Sequence, residues 1–416
     1  MEYGCIGEHL AHSFSKEIHN ALADYDYRLK ELTPDQLPVF LREREFKAIN
    51  VTIPYKQDVI PFLDWISHEA AAINAVNTIV NRNGKLYGYN TDFYGLKALI
   101  ERENVSFRGK KVVVLGSGGT SNTAFAVASS LGADCVLKVS RTDKSGYITY
   151  DELYEKHSDC EIIINTTPCG MFPKAGSAVI DIEKFPCVEG VFDAVYNPLC
   201  SKLVLDARQN GITAVGGLYM LVSQAAYAVE KFIDAPVDNE KVENIFENLY
   251  KSKMNIVLVG MPSCGKTSVG RALSEGLAKN FADSDEEIVK VTGEAIPDIF
   301  KAKGENYFRD LEAETICKLS AGNSTVISTG GGAVLRESNI ENLKSNGRIY
   351  FLDRPLEQLV TTSDRPLSSN RADLEKRYNE RYNIYCSVAD VIIDGSGTVE
   401  EVAKRIEAEF IEYSCN

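Results

Sequence analysis

The chain has no Cys-x-x-Cys pair among its ten cysteines, no apolar run approaching membrane-spanning length, and no histidine beyond residue 157. Scattered thiols without a paired spacing argue against a zinc site or a disulfide framework; they fit a reducing compartment, where cysteine serves as a small core residue. The N-terminus MEYGCIGEHL lacks the charged-then-apolar plan of a signal peptide, so a cytoplasmic protein without membrane partners is expected. An excess of positive charge is missing too. Lys and Arg total 45 against 59 Asp and Glu, a net charge of −14, which excludes broad nucleic-acid binding. No internal repeat or low-complexity tract appears. What remains is ordinary for a soluble globular chain, with 44% apolar and 25% charged residues. At 416 residues it is too long for one core, so two or three domains are expected. Small-molecule substrates are the expected partners, and monomer and homodimer both stay open.

Short apolar runs alternate with helical stretches along most of the length. EYGCIG, YRLKEL, KAINVTI, NTIVNR and KLYGYN read as strands of a first unit, with SKEIHNALADY as one of its helices. From about Lys110 the runs KKVVVLG, CVLKVS, EIIINT, GVFDAV and ITAV are separated by helix-length segments, the pattern of a parallel sheet covered on both faces. LYMLVSQAAYAVEKFI predicts a helix, followed by one more helix and a tether of a few residues before Met254. A second βα series then begins, with NIVLVG, STVIST, RIYFLD and DVIIDG as its clearest strands. The expected fold is α/β in three parts: residues 1–97, completed by helices within 218–250; a Rossmann-type unit over 98–217; and a P-loop unit over 254–416.

GMPSCGKT, residues 260–267, matches the phosphate-binding pattern GxxxxGK[ST] between a buried-type strand and a helix. There the backbone N–H groups of Ser263, Cys264, Gly265, Lys266, Thr267 and Ser268 can face nucleotide phosphates. Lys266 can reach the β/γ oxygens, and the Thr267 hydroxyl can serve Mg²⁺. Downstream, FADSDEEI offers Asp283 and Asp285 as two carboxylates on one side of the backbone. FRDLE carries Arg309, TGGG carries Gly331 and Gly332, DRPL carries Arg365, and NERYNIY carries Arg381. Separated arginines beside a bare glycine backbone suit a small, anionic, hydroxylated acceptor, because guanidinium grips carboxylate in two places. With no histidine in this half, an acceptor-side base must be a carboxylate.

On these motifs residues 254–416 resemble shikimate kinase over nearly their whole length. The resemblance implies that Asp285, Arg309, Gly331, Gly332 and Arg381 hold shikimate, with Asp285 near the 3-hydroxyl that receives phosphate. It also implies that Thr267 and Asp283 serve Mg²⁺, that Glu312 positions Arg309, and that Arg365 in the lid closes over ATP. One departure stands out. The family commonly has an arginine shortly before RPL that lies against adenine, and here that stretch reads TTSD, residues 361–364, so weak discrimination between nucleotide bases is expected.

An earlier glycine-rich turn, VVVLGSGGTSN, places Gly116, Ser117, Gly118, Gly119 and Thr120 between a strand and a helix, though not in strict GxGxxG spacing. An NAD site should carry an acid at the end of the next strand, about twenty residues on. Here that end reads Ser140, Arg141, Thr142, and a guanidinium flanked by hydroxyls suits the 2′-phosphate of NADP. In the first unit polar residues fall in islands, HSFSKEIHN, NVTIPYK, NAVNT and NTDFYG, able to line a pocket for a polyol. Lys56 and Asp92 form the obvious proton-handling pair. His9, His12 and His19 are rivals better read as capping or packing residues.

These islands resemble shikimate dehydrogenase from residue 1 to about 250. The resemblance implies that Ser13, Ser15, Thr52, Asn77, Tyr196 and Gln224 bind the substrate, with Lys56 and Asp92 catalytic. GSGGTS, SRT, Ala194 and Gly217 would lie along NADP(H). The joint expectation is a two-reaction enzyme: NADPH reduces 3-dehydroshikimate, and MgATP then phosphorylates the shikimate formed. The alternatives are a quinate-type substrate, or a second half that senses nucleotide without turnover.

Overall fold

A computed structural model describes residues 1–10, 14–172, 175–359 and 371–413. They form two compact units, one made of Met1–Cys169, Ala178–Tyr196 and Asp206–Asn248, the other of Gly170–Ser177, Asn197–Leu205 and Leu249–Asn416. Both are α/β.

The first unit opens with β1 (Tyr3–Gly7), α1 (Ser15–Leu22), β2 (Tyr27–Glu31), α2 (Gln36–Glu43), β3 (Ala48–Val51), β4 (Trp65–Ile66), α3 (His68–Ile73), β5 (Thr78–Arg82) and β6 (Lys85–Tyr89). The strands make a six-stranded sheet in the order β2-β1-β3-β5-β6-β4. β1 to β3 are parallel and β5–β6 is antiparallel. Asn83-Gly84 joins β5 to β6 with φ of 54° and 82°, the left-handed pair a two-residue hairpin needs. α2 covers one face of this sheet through Leu37, Phe40 and Leu41.

Next come α4 (Thr91–Arg102), β7 (Lys111–Leu115), α5 (Gly119–Ser130), β8 (Cys135–Val139), α6 (Tyr150–Lys156), β9 (Ile162–Asn165), β10 (Gly190–Asp193), α7 (Lys202–Gln209), β11 (Thr213–Val215), α8 (Leu218–Ile233) and α9 (Asn239–Lys253). The second sheet is wholly parallel, in the order β11-β10-β9-β7-β8. Its central strands are buried along their Val/Ile runs, as a sheet covered on both faces requires. α8 belongs to two cores. Its Ala228 and Phe232 pack with Tyr27 and Val80 of the first sheet, while Met220 packs with Val112 and Phe192 of the second. Against α4, a side chain at Gly95 would strike the Met220 carbonyl at 2.6 Å, so the two helices need glycine to meet.

The second unit contains β12 (Asn255–Val259), α10 (Lys266–Gly276), β13 (Asn280–Asp283), α11 (Ser284–Thr292), α12 (Ile296–Ser320), β14 (Thr325–Ser328), α13 (Glu337–Asn346), β15 (Gly347–Asp353), α14 (Arg371–Val388), β16 (Val391–Asp394) and α15 (Val399–Glu412). Its parallel sheet runs β13-β14-β12-β15-β16. α12 breaks at Gly304, whose φ of 82° and ψ of 172° are not helical. Two expectations change. The tether before Met254 is instead the last turn of α9, which runs to Lys253 and leaves one residue before β12. Two-residue β4 is too short to give a periodic signal in the sequence. No described helix is long and apolar enough to cross a membrane.

Candidate functional sites

In the first unit the chain leaves β3 and turns sharply, bringing Lys56 opposite the N-terminus of α4. Asn90 caps that helix by accepting the Phe93 N–H at 3.3 Å, which fixes Asp92 in the first turn. Lys56 Nζ lies 2.6 Å from Asp92 Oδ2, with their side chains 24% and 16% exposed. A lysine and a carboxylate half-sheltered at this distance hold each other in place for proton transfer. Asn77 Oδ1 accepts from the Thr91 N–H at 2.7 Å and is within 3.2 Å of the Thr91 hydroxyl. Gln224 Oε1 accepts from that hydroxyl at 3.4 Å. Thr91, absent from the sequence candidates, is therefore the hub that ties Asn77 to Gln224. Its signal was its place beside Asp92 in NTDFYG.

Thr52 follows β3 directly, and its N–H donates to Ile6 O at 2.9 Å. Ser15 opens α1. The Tyr196 ring packs against Phe14 at 5.6 Å, and burial pushes its phenol pKa up. Ser13 and His12 lie outside the described residues. His19 is a packing residue: it is buried, stacks on Tyr27 at 3.9 Å, and its Nδ1 meets the Tyr25 hydroxyl at 2.7 Å. Burial holds its pKa down near 3. His9 is exposed.

The first glycine loop leaves β7 at Gly116, which adopts φ 114°. A Cβ there would press on Thr166 Oγ1 at 2.7 Å, whereas Gly118 and Gly119 face open space at the start of α5. Ser117 and Thr120 complete the turn, whose open N–H groups suit a pyrophosphate. Leu115 pairs with Val139, so the end of β8 sits level with this turn. Ser140 is buried and meets the Thr142 hydroxyl at 3.3 Å, while Arg141 is exposed. Lys144, missed in the sequence, reaches back to the Ser117 carbonyl at 3.1 Å and adds a second cation. Ala194 and Gly217 touch, since any side chain at Gly217 would collide with the Ala194 carbonyl.

In the second unit Gly265, at φ 100°, is the N-cap residue that turns the loop into α10. Lys266 Nζ donates to the carbonyls of Gly260 and Met261, each at 3.0 Å. Ser263 and Ser268 line the same cavity, and Cys264 is buried with its Sγ 3.8 Å from Lys266 Nζ. The Thr267 hydroxyl donates to Asp283 Oδ2 at 2.7 Å. A hydroxyl and a carboxylate oxygen in contact are donors that fit Mg²⁺, which takes its remaining ligands from phosphate and water. Asp283 ends β13 and caps α11, accepting the Asp285 N–H at 3.0 Å through Oδ1. Asp285 thus reaches the cavity from a helical first turn, and strand alternation is not what aligns the two carboxylates.

That cavity, of about 580 Å³, is lined by the loop, Asp283, Asp285, Arg309, Gly330 to Gly332 and Arg381. Arg309 pairs with Glu312 at 2.8 Å and Glu305 at 3.1 Å. Burial pushes the Glu312 pKa up while Arg309 opposes it. A side chain at Gly332 would collide with the Arg309 guanidinium, so glycine makes room for it. Arg381 is buried and donates to Gly331 O at 2.9 Å. Arg377, four residues before Arg381 on α14, lines the cavity as well. Burial, then the neighbouring Arg381, lowers its pKa. The i, i+4 spacing was its signal in the sequence. Arg365 and the TTSD stretch lie outside the described residues.

A Clostridium perfringens protein named shikimate dehydrogenase (NADP(+)) is 39% identical over 265 residues, covering 59% of this chain and 97% of that protein. The chain belongs to the shikimate dehydrogenase family. The family model for the shikimate dehydrogenase substrate-binding domain matches residues 5–79, and the shikimate kinase model matches 262–410. The chain is thus a fusion of a shikimate dehydrogenase with a shikimate kinase family domain. The dehydrogenase part is similar to a solved chorismate mutase/shikimate 5-dehydrogenase fusion protein from Clostridium acetobutylicum, at 36% identity and TM-score 0.57 over 59% of this chain and 96% of that one. It is similar as well to shikimate 5-dehydrogenase from Thermus thermophilus, solved in complex with NADP(H) and shikimate. That match has 26% identity and TM-score 0.54, covering 59% of this chain and 98% of the other.

Proposed function

We propose that this chain carries out two successive reactions, reduction of 3-dehydroshikimate with NADPH and phosphorylation of the resulting shikimate by ATP. The reading rests above all on the second unit's cavity. It joins a phosphate loop to two aspartates and three arginines, in a chain whose other part belongs to the shikimate dehydrogenase family.

In the dehydrogenase, bound NADPH would supply the hydride to the substrate's C3 carbonyl. Lys56 donates the proton to the carbonyl oxygen and regains one from solvent, and Asp92 holds the ammonium in place. Asn77, Thr91 and Gln224 form a bonded row against which ring hydroxyls can find partners, with Ser15, Thr52 and Tyr196 completing the pocket. Arg141, Ser140 and Thr142 take the 2′-phosphate, and the open turn at Gly118 and Gly119 takes the pyrophosphate. In the kinase, Arg309 and Arg381 grip the acceptor carboxylate, while Asp285 accepts the hydrogen bond of the attacking hydroxyl. Lys266 and the loop N–H groups neutralise the transferring phosphoryl, and Thr267 and Asp283 would hold Mg²⁺, which would add positive charge against the phosphates.

Purified protein is assayed with shikimate plus NADP⁺, then with shikimate plus ATP and Mg²⁺. Turnover in both is expected. Dehydrogenase turnover alone would reduce the second part to a nucleotide sensor, and turnover with quinate but not shikimate would reassign the substrate.

A further inference from the structure

The tetrapeptide Asp-Arg-Pro-Leu occurs twice in the second unit, at 353–356 and at 364–367. The first copy ends β15, which pairs in parallel register with β12, Val259 opposite Phe351. That register carries Arg354 to the level of the phosphate loop. Its Nη1 lies 4.0 Å from where a Cβ would stand on Gly265, at the turn into α10. On the other side its Cβ packs 3.3 Å from the corresponding point on Gly395, after β16. Among the described residues Arg354 makes no hydrogen bond or ion pair, and its Nε is a buried donor with no partner. The adjacent Asp353 does not neutralise it, because its Oδ2 instead accepts the Tyr382 hydroxyl at 2.9 Å. A guanidinium held unpaired against a helix N-terminus adds positive charge where that terminus already draws anions. Such an arrangement is destabilising on its own and becomes favourable when an anion arrives.

We propose that Arg354 binds the phosphates of the nucleotide at this turn, through the α/β oxygens that ADP and ATP share. This rests on the kinase reading and adds to it a residue that compensates on the sheet side for the arginine missing from TTSD. Contact with phosphate, unlike stacking on a base, helps adenine and guanine nucleotides alike.

The full-length protein is titrated calorimetrically with ADP and with GDP, as wild type, Arg354→Gln and Arg354→Lys, and kinase kinetics are run in parallel. One charge-assisted contact predicts about tenfold weaker binding of both nucleotides in Arg354→Gln, with KM for ATP raised similarly. The rate at saturating ATP and the KM for shikimate should stay within about twofold, which shows an intact fold, and Arg354→Lys should recover part of the loss. Unchanged affinity, or a loss confined to ADP, would overturn the phosphate assignment. Failure of the wild type to bind either nucleotide would overturn the kinase reading, and this assignment with it.

Discussion

The chain builds two glycine-rich turns between a parallel strand and a helix, and they differ in where positive charge comes from. At Gly116 to Thr120 the turn itself holds no cation. Arg141 and Lys144 arrive from the end of the neighbouring strand, and Lys144 bonds to the turn's outer carbonyl at Ser117. At Gly260 to Thr267 the cation is inside the loop, with Lys266 folded back onto two of its carbonyls. On the proposed reading, a dinucleotide's pyrophosphate stays whole during hydride transfer, so backbone donors and a peripheral grip on the 2′-phosphate suffice. On the same reading, a triphosphate that is cleaved accumulates charge on its end, and the cation must stand beside it.

The largest expected effect separates the two turns completely. Lys266→Ala should lower kinase turnover by about a hundredfold or more and leave the dehydrogenase unchanged, while Lys56→Ala should do the reverse at similar size. Steady-state assays of both reactions on each variant decide it, and parallel loss of both activities in either variant would end the idea of independent sites. A smaller effect probes the peripheral grip. Arg141→Asp should shift the NADP⁺ to NAD⁺ preference by about tenfold or more, read as the ratio of kcat/KM values. An unchanged ratio would move the 2′-phosphate to Lys144. The smallest concerns stability. His19 has a folded pKa near 3, below its ordinary 6.5, so the unfolded chain binds the extra proton between those values. Stability of the first unit should therefore fall as pH drops from about 6.5, by up to about 1.4 kcal/mol per pH unit. Denaturant melts from pH 7 to pH 5 should show a shallower slope for His19→Phe, and an equal slope would place the proton uptake elsewhere.

Much of this was readable in the residues. Long Val/Ile runs gave the two parallel sheets, because strands buried on both faces must be apolar throughout. The islands around Lys56, Asn77 and Asp92 converge as their polarity implied. What escaped has physical reasons. Thr91 looks like a helix-start residue until its hydroxyl is seen between Asn77 and Gln224. Arg354 and Arg377 look like surface arginines, since only the strand register and the helix face bring them to the loop and the cavity. The alignment of Asp283 with Asp285 was expected from strand alternation, but a helix cap produces it. α8, far along the chain, packs on the first sheet, as expected of the helices within 218–250.

That shared helix has a bearing on where the polypeptide could be divided. A fragment ending before Leu218 would bare the Tyr27 and Val80 side of one sheet and the Val112 side of the other at once. Neither half of the dehydrogenase is therefore a portable module, and a shuffled or truncated gene keeps working pieces only if its breakpoint falls downstream of Ile233.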